Sequence, residues 1–303
     1  MYSHLPVVLG ALKPRSCDLP HYCYDISIMR RNAASSAFEE AYVQLSRAAS
    51  LAGRPEIILL DEDADELDEF TGSRPRSHAL LERLERAGRV RRVRRGVYVL
   101  VEATGGVRVD ILDLIAASTP DPYLVTGGRA LQFHALTDQH FRRVHVLTTS
   151  RLRSWSWRGD EVRYVRTETQ LRSGAVRTRK TPARMATPAR AIADSLSHPR
   201  WGVTLAQVTE ALDAMLAGDT NFADVLAVEV ARQDNHALAR RLGFLVSQIA
   251  GPDAARPFLA LIGTSKATTP LQAGVDPTGL IDSRWQISAN VSLDRLLQHR
   301  EVV

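Results

Sequence analysis

Apolar residues in the first third of the chain repeat first at helical and then at strand spacing. Phe38, Tyr42, Leu45 and Ala49 recur every three to four residues, which predicts a helix over residues 36–51. Gly53-Arg54-Pro55 ends it, and Glu56-Ile57-Ile58-Leu59-Leu60 reads as a short strand. Residues 61–70 read as a second helix that stops near Gly72. Leu80, Leu84 and Ala87 then share one helical face, with Leu81 at its edge, and Gly88 supplies the left-handed stop. Val90 and Val93 lead into a turn at Arg94-Arg95-Gly96. Val97-Tyr98-Val99-Leu100-Val101 returns as a β-branched strand.

The remaining two thirds alternate between the two periods. Residues 108–117 predict a helix stopped by Pro120 and Pro122, and Tyr123-Leu124-Val125-Thr126 a strand. Gly127-Gly128 turns into a helix through Ala130, Leu131 and Phe133. Residues 144–148 and 162–165 alternate as strands. Residues 185–196, 205–216 and 237–249 predict helices, with Pro188 in a first turn if that helix starts near Thr187. Residues 285–291 predict a late strand. The expected fold is α+β: an extension over 1–35, a winged helix-turn-helix domain over 36–104 and a larger mixed α/β domain over 105–303. The order helix, strand, helix, helix, hairpin is the winged-helix order.

Charge sharpens this. Residues 74–101 hold nine arginines against Glu82 and Glu85, while the whole 303-residue chain carries a formal charge of only +5. A second stretch, from Arg142 to Lys180, holds eleven cations against Asp160, Glu161 and Glu168. The rest of the chain is net acidic, so the cations are concentrated in two places. A sequence pI near 9.5 favours an anionic partner. With 45% hydrophobic and 24% charged residues the composition is that of a folded domain. Only Cys17 and Cys23 are present, which excludes a disulfide framework and a cysteine zinc set. No apolar run reaches membrane-span length, and no basic segment followed by an apolar one opens the chain, so a cytoplasmic protein without a membrane partner is expected.

On the third helix, His78, Glu82 and Arg86 lie opposite the leucine face, with Arg83 alongside. Such side chains suit a major groove: Arg83 or Arg86 for guanine, Glu82 for cytosine N4. Arg74, Arg76 and Ser77 open the helix, where free N–H groups attract phosphate. Arg91, Arg92, Arg94 and Arg95 would track the backbone or the minor groove. The competing reading is a solvated basic face. Seven carboxylates between Asp61 and Glu69 read as a solvated acidic helix or as a face that weakens non-specific DNA binding.

Arg142, Arg143, Arg151, Arg153 and Arg158 offer a possible second basic surface. Trp155, Trp157 and Tyr164 among them suit either base stacking or hairpin packing. His134, His140 and His145 are close in sequence but lack a fourth ligand, so no metal and no cofactor are expected. Gly127-Gly128 lacks the Gly-Lys-Ser/Thr of a phosphate loop and reads as a strand-to-helix turn.

Several stretches together carry a resemblance to a family. The hairpin 88–99, Gly-Arg-Val-Arg-Arg-Val-Arg-Arg-Gly-Val-Tyr-Val, is similar to the wing signature of the AbiEi-type antitoxins of type IV (abortive infection) toxin–antitoxin systems. The stretches 123–131, 134–136, 187–194, 240–245 and 284–291 are similar to the family's C-terminal half, so the resemblance spans about residues 38 to 295. It implies a non-enzymatic repressor that binds double-stranded operator DNA, with a homo-oligomer on the DNA as one arrangement. It also implies counteraction of a cognate nucleotidyltransferase-like toxin. The long N-terminal tail and the acidic second helix depart from the pattern. The alternatives are a stand-alone winged-helix repressor with a sensory C-terminal domain and a nucleic-acid or phosphotransfer enzyme.

Overall fold

The computed structural model describes residues 39–298 apart from 103, 168–170 and 172–173. The expected extension over 1–35, with both cysteines, lies outside the described residues. Helix α1 covers residues 39–51. It is followed by β1 (Ile57–Leu59), α2 (Ala64–Thr71), α3 (Arg74–Arg86), β2 (Val90–Arg94) and β3 (Val97–Leu100). The three strands form an antiparallel sheet ordered β1-β3-β2.

Helix α3 stops as its sequence predicts. The Gly88 N–H donates to Glu85 O at 3.0 Å and the Arg89 N–H to Leu84 O at 2.9 Å, with Gly88 at φ +71. That pair of bonds satisfies two terminal carbonyls and needs a left-handed residue. The phase of the helix differs from the expected one. Ser77, Leu81 and Leu84 are buried, Leu80 is half-buried, and Ala87 is exposed. Ser77 can lie inside because its hydroxyl donates to Asp68 Oδ1 at 2.6 Å and lies 2.7 Å from Thr71 Oγ1. Leu81 and Leu84 pack on Leu45, Ile58, Leu60, Val90, Tyr98 and Leu100. Each such side chain contributes about 1.5–3 kcal/mol by leaving water.

That cluster uses one face of the small sheet. The other face, Ile57, Leu59, Val97 and Val99, belongs to the core of the rest of the chain. Alternation along β1 and β3 explains the split, since neighbouring residues point to opposite faces. Helix α4 (Ile111–Ser118) lies on this second face and also against β9 (Thr181–Ala186). Asp110 starts α4 with a capping box: its carboxylate accepts from Leu112 N–H at 2.8 Å, and Asp113 accepts from Asp110 N–H at 3.1 Å. The hydrophobic core therefore runs without a break across residues 104–105.

The large sheet has six strands in the order β6-β7-β5-β4-β9-β8. They are β4 (Tyr123–Thr126), β5 (Arg143–Thr148), β6 (Trp155–Trp157), β7 (Asp160–Arg166), β8 (Ala175–Thr178) and β9. Pairings β5–β7 and β4–β9 are parallel and the rest antiparallel. Helix α5 (Gly128–Phe133) starts on the expected Gly-Gly turn. Any Cβ at Gly128 would lie 2.3 Å from the Phe141 ring, and Gly127 sits at φ +67 against Trp201. Close packing thus accounts for both glycines. Helix α6 (Pro188–Ser197) is capped by Thr187, and Met185 lies in β9 rather than starting the helix. Helices α7 (Leu205–Gly218), α8 (Phe222–Gln233) and α9 (His236–Ala250) complete the helical layer. A small sheet ordered β10-β12-β11 (β10 Thr269–Pro270, β11 Leu280–Asp282, β12 Ile287–Ala289) and α10 (Leu293–Leu297) follow. The fold is mixed α+β. Among the described residues no helix is long and apolar enough to cross a membrane.

Candidate nucleic-acid interface

The exposed side of α3 carries His78, Glu82, Arg83 and Arg86, opposite Leu81 and Leu84. Among the described residues the Arg86 Nε donates only to the Glu82 carbonyl of its own helix, at 3.3 Å. Arg76 is exposed at the helix start, just after Pro75. Arg74 is held back: its guanidinium lies 3.8 Å from both Asp61 and Asp68. Ser77 corrects the expectation of a phosphate contact, because its hydroxyl is buried and spent on α2.

The hairpin sorts its arginines by face. Arg92 pairs with Tyr98 and stands on the α3 side, where Arg92, Glu85 and Glu82 all act on the Tyr98 phenol. Burial pushes that phenol up, and Arg92 pulls it back. Arg91 pairs with Val99 on the other face. The register then slips by one residue between Arg92 and Arg94, leaving Val93 as a bulge. The slip turns Arg94 inward. Its guanidinium donates to the Ser118 carbonyl at 2.8 Å and lies 5.9 Å from the centre of a Trp155 ring. Arg94 is therefore a bolt between the hairpin and the large sheet, which corrects its expected place on the DNA backbone. Arg91, Arg92 and Arg95 are exposed and make no hydrogen bond or ion pair among the described residues. Arg89 is bound to Glu39 at 2.6 Å and lies over the Tyr42 ring.

The acidic second helix is only partly a solvated face. Asp63 is buried, accepts from Leu59 N–H at 2.7 Å and pairs with Arg54 at 2.5 Å. Asp68 holds Ser77, and Asp61, Glu62, Asp63 and Asp68 all lie within ion-pair distance of Arg54 or Arg74, so four of the seven carboxylates have a partner.

The second basic stretch divides differently. Trp155 and Trp157 are buried on one face of the large sheet, and Trp155 Nε1 donates to Tyr164 OH at 3.1 Å. They pack the core and leave no stacking surface. Arg143 and Arg163 share Glu161, at 3.1 and 2.5 Å, and hold its carboxyl below the usual range, Arg163 more strongly. Arg177 pairs with Asp121. Arg158 donates to the Val107 carbonyl at 2.8 Å. Arg142, Arg151 and Arg153 are exposed without such partners among the described residues, but they stand in connections before β5 and β6 rather than on one element.

The three histidines go to separate places. His134 Nε2 donates to Ala186 O at 2.7 Å, and His140 lies beside Gln132 and Asp160. His145 is buried and stacked on Trp201, which stacks in turn on His198, at 4.6 and 4.0 Å between ring centres. Burial, with the Arg143 charge next in weight, lowers its pKa to about 4. Its Nδ1 has no hydrogen-bond partner among the described residues.

Several stretches that carry the sequence resemblance meet inside the fold. Thr126 donates to Asp194 at 2.7 Å, joining 123–131 to 187–194. Gly243 makes room for the ring of Trp285, joining 240–245 to 284–291. Arg190 is buried between Asp194 and Glu229, both at 2.9 Å. Arg240 is also buried and donates to the carbonyls of Ile262, Ser265 and Ala267. These stretches build the scaffold, and their chemistry is spent within it.

The fold is similar to the crystal structure of the RV2827C protein from Mycobacterium tuberculosis. The TM-score is 0.60 at 16% sequence identity, covering 80% of this chain and 89% of that one. At that identity the likeness concerns the fold alone. Neither a protein-family model nor a curated protein matches the chain.

Proposed function

We propose that this chain is a cytoplasmic DNA-binding antitoxin that represses its own operon through a winged helix and counteracts a nucleotidyltransferase-like toxin. One observation carries the DNA reading. The exposed face of α3, with Arg76, His78, Glu82, Arg83 and Arg86, stands next to a hairpin whose Arg91, Arg92 and Arg95 make no hydrogen bond or ion pair among the described residues. The order α1-β1-α2-α3-β2-β3 and the sheet order β1-β3-β2 support the winged-helix reading. In that reading α3 enters the major groove and the hairpin arginines follow phosphates. One small module gives limited specificity, so two copies on repeated half-sites are expected. The antitoxin role rests on the sequence resemblance.

Fluorescence anisotropy with the DNA upstream of the gene tests the first part. Arg86→Ala is expected to narrow the gap between operator and random duplex, because a base contact is worth about 1–3 kcal/mol of discrimination. An unchanged gap removes Arg86 from base readout. Co-expression with the neighbouring gene tests the second part: continued toxicity in the presence of this chain rejects the antitoxin role.

A further inference from the structure

A cleft of about 740 Å³ opens between the segment leading from α1 into β1 and the helix α4. Its size lies in the range of small-molecule sites, roughly 300–1,000 Å³. Ile57, Val109, Ala116, Ala117 and Pro182 give it an apolar lining. The charges around it are unevenly satisfied. Each of its arginines already has a carboxylate: Arg54 has Glu62 and Asp63, Arg108 has Glu102, and Arg177 has Asp121. Asp121 is shared further with Arg184. Asp113 and Glu56 also line the cleft, and neither has a cationic partner among the described residues. Burial pushes the Asp113 carboxyl above its ordinary range, against the pull of the Asp110 N–H, and the Asp110 charge adds to the rise. Glu56 is held at φ +71, a left-handed conformation that a glutamate adopts at a cost in energy.

We propose that this cleft binds a small organic cation, its apolar body against Ile57, Ala116 and Pro182 and its amine or amidine on the Asp113 carboxylate. An anion is disfavoured because every lining guanidinium is already neutralised, whereas the two unpaired acids leave negative charge to be met. A cation on Asp113 offsets the desolvation of its carboxylate. The ligand would touch both sides of the joint between the small sheet and the large one. The assignment stands apart from the DNA reading, because it is measured without DNA.

Isothermal titration calorimetry on the full chain, with benzamidinium and with benzoate as its charge-reversed counterpart, tests it. Benzamidinium is expected to bind at one site and benzoate far more weakly. Asp113→Asn keeps an oxygen for the Asp110 N–H and removes the charge, and is expected to weaken benzamidinium about tenfold. Glu56→Gln makes the same charge test, with a smaller loss, if Asp113→Asn does not fold. Ala116→Leu fills the cleft without altering charge and is expected to abolish binding. No heat with benzamidinium up to about 10 mM, equal affinity for benzoate, or binding unaffected by these substitutions overturns the proposal.

Discussion

The two basic stretches have similar charge in the sequence, but the fold gathers exposed arginines of the first around one turn and scatters those of the second over separate connections. Around the β2–β3 turn, Arg91, Arg92 and Arg95 are exposed beside an exposed helix face and have no ion pair among the described residues. Around β5 to β8, Arg143, Arg163 and Arg177 are ion-paired, and the interleaved tryptophans are buried. A count of cations does not separate an interface from a scaffold. What separates them is whether each guanidinium already has an internal acceptor.

Arg190 is the limiting case of a cation with internal partners. Arg190→Ala leaves Asp194 and Glu229 buried beside each other without it, and is expected to cost about 3–5 kcal/mol of stability. Arg95→Ala is expected to stay within about 0.5 kcal/mol. Urea unfolding of both variants measures the gap, and similar midpoints would show that partner state is not what distinguishes these arginines.

The next effect belongs to DNA. Arg91→Ala/Arg92→Ala/Arg95→Ala is expected to weaken duplex binding about 10- to 100-fold and to reduce the slope of log affinity against log salt by about 2–3, one counterion release per lost phosphate contact. Arg143→Ala/Arg163→Ala/Arg177→Ala is expected to change that slope by less than about one. Anisotropy titrations at several salt concentrations compare the two triples, and equal slopes would erase the contrast between the stretches.

A smaller effect divides neighbours within one hairpin. Arg94→Ala removes a hydrogen bond to Ser118 and the contact with Trp155. It is expected to cost about 1–2 kcal/mol of stability with the salt slope intact. Arg95→Ala is expected to do the reverse. A flattened slope in Arg94→Ala would place that side chain on DNA after all.

Much of this fold was readable from periodicity, because its elements are short and well capped. Gly88 and the Thr187–Pro188 start are local chemistry, and the structure has them where the sequence predicts. The phase of α3 was not readable. A serine is polar by composition, and only the distant Asp68 and Thr71 make Ser77 a core residue. The fate of Arg94 depends on a one-residue slip at Val93, which leaves no mark in an alternating Val–Arg pattern. The cleft joins residues from three distant stretches, 52–62, 108–123 and 177–182, so no window of sequence contains it. The tryptophans of β6 show their alternation in sequence but not which face is covered, since β2, whose Arg94 lies by Trp155, comes from far upstream in the chain.

His145 supplies the finest comparison, because the second basic stretch acts on it from within. Its ring is buried and titrates near pH 4 in the folded chain, whereas an exposed histidine titrates near 6.5. Between those values the unfolded chain binds more protons, so stability rises with pH across the window. The contribution is complete above about pH 6.5 and is lost as pH falls towards 4. His145→Phe, which keeps a ring against Trp201, is expected to flatten that dependence in urea titrations. Arg143 is the largest charge acting on His145 after desolvation. Arg143→Ala is therefore expected to raise the His145 titration slightly, an effect strengthened because Glu161 loses one of its two guanidinium partners. Proton NMR of the imidazole measures the shift. An unmoved titration would mean that these paired cations are screened from the core, and that the inward role of the second stretch rests on packing alone.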